Sequence, residues 1–500
     1  MDILMKLLDR TTMYRVIFYV LITWIIIALG LSTAGFFFFG PLELLASLAV
    51  LILSCAGVHV ICQYATNAPA NIESSFITAL ILVLIFDPTL EIDGLIGLAA
   101  VGALAVVSKY IFVYRNVHIF NPVAFAAVAA SLLGISFATW WIGNYAMFLV
   151  VAVGGFIIAY KIRRIPLVGI TILAGTVVYL IATALFADIA LRDFSWYFLS
   201  WPIIFFATIM VTEPLSTPAG TKNQLLYGAT VGALSSLPFT LGPLYSTPEL
   251  ALLIGNFIFF FTTLRARLVL TLQSVQEIAH NTYELAFTSK HPFSFRPGQY
   301  LEWSLPHKKS DVRGIRRYFT IASSPTEENV LLGMKMPEKG SSFKRELRSL
   351  KDKHIYAASL DGDFLLPKKS KRKLVFISGG IGVTPFRSMT KFLIDTKDRR
   401  DIVHFYCNNE EQDIAYQDIW DEAQEVGVKT VHVVSKPTDN WAGERGYFSV
   451  EILKKHCPDF KDRQYYISGP PGMVSACSKS LRSAGVSRRH IHVDYFPGLA

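Results

Sequence analysis

The sequence predicts a polytopic α-helical membrane domain fused to a soluble antiparallel β-barrel and an α/β nucleotide-binding domain. Three observations carry that expectation. The chain has 500 residues, is 52% hydrophobic and has a mean hydropathy of +0.41, too apolar for an ordinary soluble protein. Its long apolar runs stop near residue 264, and short segments that alternate apolar and polar residues follow. Farther on, LVFISGGIGVTPFRSM reads as a buried strand, a glycine turn and a helix. The boundaries expected are 1–266, 267–367 and 372–500.

Ten spans of roughly the 20 residues that a bilayer requires are expected at 15–39, 41–63, 72–88, 92–112, 117–137, 141–160, 165–187, 196–212, 224–243 and 248–266. Lys and Arg fall on one side of them at almost every turn: Lys6, Arg10 and Arg15, then Lys109 and Arg115, then Lys161, Arg163 and Arg164, then Lys222, then Arg265 and Arg267. The loops between carry Asp87, Glu91 and Asp93, then Asp188, Arg192 and Asp193, then Glu249. This bias predicts a multi-pass protein of the cell (inner) membrane with both termini in the cytoplasm. The first apolar run is long enough to span and lacks a small-residue cleavage site, so no cleavable signal is expected.

The formal charge of +9 reflects a basic soluble half and cytoplasmic loops. No nucleic-acid motif accompanies it, and attraction to a lipid surface accounts for it. The five Cys form neither C-x-x-C nor C-x4-C-x2-C, so no metal site is predicted. Cys55 and Cys62 share a helix face and read as packing.

The apolar half looks duplicated. Phe86-Asp87-Pro88 and Thr212-Glu213-Pro214 close two expected spans, and Val101-Gly102-Ala103-Leu104 and Val231-Gly232-Ala233-Leu234 lie in the next ones. Five spans separate the copies, so they are expected to be inverted, with a functional site near their interface. In SKYIFVYRNVHIFNPVAFA, His118, Asn121 and Pro122 place polar groups and a helix start at a membrane edge, where a cofactor or an ion would meet freed backbone groups. A capped helix start explains the same residues. No carboxylate is expected in mid-span. This stretch and the five-span layout resemble the B subunit of sodium-pumping NADH:quinone reductase and the D subunit of the Rnf complex, over roughly residues 1–265. The resemblance implies a covalent FMN on a Thr of an S-G-A-T-like motif. Ser136-Phe137-Ala138-Thr139 and Tyr227-Gly228-Ala229-Thr230 both depart from it, Thr139 being the better placed. A non-covalent flavin, a quinone pocket or plain hydroxyl-rich helix interior are the alternatives. A two-haem carrier would need four axial ligands, and only His59 and His118 lie in this half, which leaves room for a single haem.

In the soluble half, LVLTLQSVQEI and YELAFTS open the barrel, and Pro297-Gly298-Gln299-Tyr300 turns into a further strand. RRYFTIASSP then presents Arg317, Phe319 and Thr320: a cation for a pyrophosphate, an aromatic to stack on a ring and a hydroxyl for a polar ring edge, a set that suits a flavin. Gly340, Ser341 and Ser342 open a helix whose free N–H groups favour an anion, or simply cap it. Gly379, Gly380 and Gly382 let backbone approach a dinucleotide, with Thr384 and Pro385 in the first turn of the following helix.

In this order the motifs resemble the ferredoxin–NADP reductase family, with Phe319 where Tyr is usual. Gly362-Asp363-Phe364 resembles its barrel-closing G-x-F, and Ser468-Gly469-Pro470-Pro471-Gly472-Met473 its [CS]-G-P-P-G-M loop. The resemblance implies FAD on the barrel and NAD(P)H on the α/β domain, with Gly469, Pro470 and Met473 beside the nicotinamide. It makes Ser468, where plant-type members have Cys, and Asp494, where Glu is usual, the catalytic candidates. Phe496 would cover the flavin ring. Asn408, Asn409 and Glu410 offer no cation for a 2′-phosphate, which favours NADH over NADPH.

The expected activity is hydride transfer from NAD(P)H to FAD in the cytoplasm. Electrons would pass to the membrane domain, towards a quinone, a second flavin or a redox partner protein. A single-haem ferric-reductase-like carrier and a transporter with a regulatory reductase domain are the competing expectations.

Overall fold

In the computed structural model, residues 11–66, 72–114, 117–186, 197–218, 220–242, 244–265, 267–307, 315–336, 340–350, 354–367 and 372–494 are described. They form two compact units that divide at Arg265 and Ala266.

The first unit is helical: α1 (Met13–Thr33), α2 (Pro41–Thr66), α3 (Ile72–Ile85), α4 (Ile92–Ile111), α5 (Pro122–Leu132), α6 (Phe148–Lys161), α7 (Ile165–Phe186), α8 (Thr221–Ser236) and α9 (Pro248–Arg265). Among the described residues, four helices are long and apolar enough to cross a membrane: α1, α2, α4 and Ile165–Leu185 of α7. Several of the ten expected spans are thus shorter or broken. The span expected at 117–137 is α5 alone, because Asn121 caps the helix and Pro122 begins it. The one at 196–212 is interrupted: Ile203–Phe205 is α-helical and Phe206–Met210 is a π-turn.

The shortness of α3 has a clear cause. Its last carbonyls are claimed from elsewhere in the chain, by Trp141 Nε1 on Val83 O (2.8 Å), Ile142 N on Leu84 O (3.3 Å) and both Thr139 N and Trp140 N on Ile85 O (2.9 Å each). A helix end satisfied in this way has no need of water.

One arrangement of elements occurs twice. A two-stranded ribbon (Val113–Tyr114 with Val117–His118) joins α4 to α5, and a second (Thr240–Leu241 with Leu244–Tyr245) joins α8 to α9. Helix α4 packs on α2 as α8 packs on α7, and the corresponding helices α5 and α9 pack on each other, as do α1 and α6. The repeated V-G-A-L explains the close pairs. A Cβ on Gly102 would stand 3.1 Å from Ser54 Oγ of α2, and one on Gly232 would stand 2.2 Å from Thr171 O of α7.

The second unit opens with a six-stranded antiparallel barrel: β1 (Leu268–Ala279), β2 (Thr282–Ser289), β3 (Tyr300–Ser304), β4 (Arg316–Thr320), β5 (Val330–Lys335) and β6 (His354–Asp361), in the order β4-β3-β6-β1-β2-β5. Helix α10 (Ser342–Arg348) lies between β5 and β6, and Leu270, Phe287, Leu301, Trp303 and Phe343 fill the core.

A parallel sheet follows: β7 (Leu374–Gly379), α11 (Thr384–Thr396), β8 (Ile402–Asn408), α12 (Gln417–Glu422), β9 (Val428–Val434), β10 (Glu444–Arg445), α13 (Val450–His456), β11 (Gln464–Ser468), α14 (Pro471–Ser483) and β12 (Ile491–Asp494), in the order β10-β9-β8-β7-β11-β12. Strand β7 is buried on both faces: Leu374 and Phe376 enter one apolar cluster, Val375 and Ile377 the other. The strand order reverses between β7 and β11, the place where open α/β sheets bind ligands.

Within this sheet, His404 of β8 is fully buried, with Nε2 2.8 Å from Ser378 Oγ. Burial pushes its imidazole down to about 3, against 6.5 for an ordinary histidine. Below about pH 6.5 the unfolded chain therefore takes up a proton that the native state refuses, and stability falls as pH drops towards 3. Melting of this domain, followed by circular dichroism from pH 7.5 to 4.5, should show that slope, and His404→Gln should flatten it. An equal slope in both proteins would assign it elsewhere.

Candidate active site

The flavin-motif strand β4 puts Arg317 and Phe319 on one face. There the Arg317 guanidinium lies 5.4 Å over the Phe343 ring and the Phe319 ring lies 6.0 Å from it. The opposite face carries Arg316, paired with Glu302 at 2.9 Å, and Tyr318, edge-on to Tyr300. Phe343 immediately follows Ser342, so Arg317, Phe319 and the Gly340–Ser342 turn converge, while Thr320 is buried at the end of the strand. The turn departs from expectation in one respect. Ser341 caps α10 by accepting from Lys344 N, whereas Ser342 Oγ is turned inward, 3.0 Å from Nε2 of buried His307. Sequence reasoning missed His307. A cation, an aromatic edge and the turn that opens α10 together suit an FAD pyrophosphate and ring.

The nucleotide loops meet at the switch point. Gly380 has φ +51° at the turn out of β7, and Thr384 and Pro385 begin α11. A Cβ on Gly382 would stand 2.6 Å from Gly469 Cα, and one on Gly469 would stand 3.1 Å from Gly379 N. A Cβ on Gly379 would meet Met473 Sδ at 2.3 Å and Pro470 Cδ at 3.1 Å. Two loops some ninety residues apart in sequence thus touch through bare backbone. Ser468 ends β11 beside Ser378 on one flank and Asp494 on the other, all three buried. The structure brings these two catalytic candidates together. Phe496 lies outside the described residues.

Asn409, at the end of β8, lies beside the end of β9: Ser435 Oγ is 3.3 Å from its Oδ1 and Lys436 N donates to its carbonyl at 2.8 Å. Lys436, an exposed cation twenty-seven residues away, was invisible to a local reading of FYCNNEEQDIAY.

In the first unit, His118 Nδ1 is 3.4 Å from Glu213 Oε1, and Ser216 Oγ donates to the other oxygen of that carboxylate at 2.5 Å. Asn121 Oδ1 accepts from Val123 N and Ala124 N, its Nδ2 donates to Met210 O at the π-turn, and its N–H donates to Asn256 Oδ1 at 2.9 Å. Asn256, missed by the sequence reading, also reaches Tyr227 OH at 2.8 Å. Its signal was a lone amide in ALLIGNFIFFF. Thr139 is not part of this group. It is exposed beyond the opposite end of α5, where its Oγ1 donates to Asp87 at 2.6 Å. A carboxylate is nonetheless buried in this unit, Glu249 in the first turn of α9, accepting from Trp140 Nε1 at 3.0 Å. Among the described residues no cluster of three His, Cys, Asp or Glu is arranged to hold a metal ion.

The barrel, the parallel sheet and the glycine loops at its switch point belong to the C-terminal region, the part of the chain that is similar to NAD(P)H-dependent oxidoreductases. Residues 376–479 match the oxidoreductase NAD-binding domain family. The chain is 27% identical over 212 residues to the glycine betaine monooxygenase reductase subunit of Chromohalobacter salexigens, a match covering 41% of this chain and 56% of that one. It is 28% identical over 208 residues to a flavohemoprotein of Bacillus subtilis, covering 40% and 51%. The chain thus spans about half the length of these relatives. Among solved structures, the Amycolatopsis cytochrome P450 reductase GcoB is 24% identical, with a TM-score of 0.41 over 46% of this chain and 69% of that one.

Proposed function

We propose that the chain is a membrane-bound, FAD-dependent NAD(P)H dehydrogenase, in which the second unit takes hydride from the nicotinamide and the first unit receives the electrons. The observation that carries it is the contact of the β7 and β11 loops through Gly382 and Gly469 in the same compact unit as the Arg317–Phe319 face. Arg317 and the Gly340–Ser341 turn would hold the FAD pyrophosphate, Phe319 and Thr320 its ring, and the two loops the nicotinamide nucleotide. Bound FAD would supply an acceptor that takes two electrons together and passes them on singly. This chain's part is alignment: the Gly379–Gly382 backbone admits the dinucleotide, and Ser468 and Asp494 offer a hydroxyl and a carboxylate beside the nicotinamide. The B/D-subunit-like reading of the first unit is supported by its twice-occurring helix–ribbon–helix arrangement, and His118 and Asn121 are its candidate cofactor-edge residues. Quinone, a second flavin and a partner protein remain the acceptors to be tried.

The visible spectrum of the purified protein, taken anaerobically before and after NADH, tests this reading. Flavin bleaching without haem bands is expected. Haem bands that sharpen on reduction would replace the proposal with a haem reductase, and bleaching of more than one flavin per chain would place a second flavin in the molecule.

Glu410 beside Asn409 favours the ribose diol of NADH, while Lys436, whose N–H meets the Asn409 carbonyl, is a cation that a 2′-phosphate there would meet. Wild type should prefer NADH, and Lys436→Glu should lower kcat/KM for NADPH about 10-fold while leaving NADH within two-fold. Equal loss for both nucleotides would remove Lys436 from that role.

A further inference from the structure

Arg387 lies three residues after Thr384 of the nucleotide loop, and its guanidinium reaches the segment that follows β4. Its two terminal nitrogens fork onto Glu327: Nη2 donates to Oε1 at 2.9 Å and Nη1 to Oε2. Nη1 also donates to Ala322 O at 3.2 Å, and the next residue, Ser388, donates Oγ–H to Ser323 O at 2.6 Å. Ala322 and Ser323 directly follow Thr320 and Ile321, where the flavin-motif strand ends. Glu327 in turn closes that segment by accepting from Ser324 N at 2.6 Å. One guanidinium thus grips the exit of the flavin strand from the first turn of the helix that follows the glycine loop.

A second residue reaches across the same seam. Tyr416 has φ +59°, an unfavourable conformation for a bulky L-residue, and it carries Arg387 5.5 Å over its ring. Its hydroxyl stands where a Cβ on Gly333 of β5 would come within 2.6 Å, so the barrel leaves room for it by having glycine there. The chain accepts backbone strain to put this ring against the barrel.

We propose that Arg387, backed by Tyr416, is a positioning residue that fixes the approach of the Gly379–Gly382 loop to the flavin strand. This role rests on the flavin-reductase reading above. A bidentate pair suits it because it fixes orientation as well as distance, which a Lys point charge does not. The seam does not depend on Arg387 alone: Lys335 Nζ meets Asp413 at 2.7 Å, His280 N donates to Gln412 O at 2.9 Å and Thr326 Oγ1 donates to Asp395 at 2.5 Å. The two domains should therefore stay docked in conservative variants while their fine alignment loosens.

The test uses the full-length, FAD-loaded protein in detergent as Arg387→Lys and Glu327→Gln; the same two decide the matter where Arg387→Ala does not fold. Two quantities are read: backbone deuterium exchange in segments 321–327 and 384–390, and flavin bleaching by NADH in stopped flow. Exchange in both segments is expected to rise several-fold with the flavin content unchanged. The limiting bleaching rate should fall about 10- to 100-fold, as small misplacements of reacting groups do, with half-saturating NADH altered less than two-fold. Wild-type exchange and wild-type limiting rate in both variants would overturn the assignment, as would a rate loss that tracks loss of FAD. If NADH does not bleach the wild type, the reductase reading fails on its own, and the exchange data still decide whether Arg387 couples the two segments.

Discussion

Arg317→Ala is expected to release FAD. Its guanidinium lies over the ring of Phe343, the residue that follows the Gly340–Ser342 turn in sequence, and donates from Nη1 to Arg316 O at 2.6 Å. Hydrogen bonds to a charged group contribute about 1.5–3 kcal/mol each, so losing one or two weakens a bound pyrophosphate by roughly 10- to 20,000-fold. Gel filtration followed by the ratio of flavin to protein absorbance measures this. A flavin-depleted protein of wild-type helix and strand content is the expected result, and Arg317→Lys should keep an intermediate share because it retains charge without the fork. Full flavin retention in Arg317→Ala would sink the assignment of β4 as the flavin strand.

Gly382→Val should leave FAD in place and stop NADH from reaching it. The first added carbon already stands 2.6 Å from Gly469 Cα and 2.8 Å from Gly469 N, both backbone atoms that cannot rotate away, so the loops must part. Reduction by NADH should slow more than 100-fold while dithionite still bleaches the flavin at once. The contrast between the two reductants isolates nucleotide access from flavin binding. A variant reduced by NADH at the wild-type rate would show that the loops do not need to touch.

What could be read from the sequence was what lies within a few consecutive residues. RRYFT, the glycine turn before Thr384 and SGPPGM each state their local chemistry, and the barrel and parallel sheet follow from strand patterning around them. Contacts between distant residues were not legible: Gly382 against Gly469, Arg387 on Glu327, Lys436 beside Asn409 and His307 under Ser342 all depend on how strands are ordered. In the apolar half, composition located the helices but not their ends. A run of Ile, Leu and Val does not say where a Trp indole from elsewhere will take over a carbonyl, as Trp141 does on Val83 and Phe86. Glu249 read as the charge of an outside loop, whereas it is buried and accepts from Trp140, over a hundred residues away.

The shortness of α3 also makes it a depth gauge. Its fourteen residues rise about 21 Å, against a hydrocarbon layer of about 30 Å, so one end of it would stop well short of an interface. Trp140 and Trp141, both buried against its Ile85 end, would report which end that is, from the acyl-chain region or from the headgroup belt where tryptophan usually gathers. Lipids brominated at successive acyl positions would locate them, by the carbon number at which indole emission is quenched most.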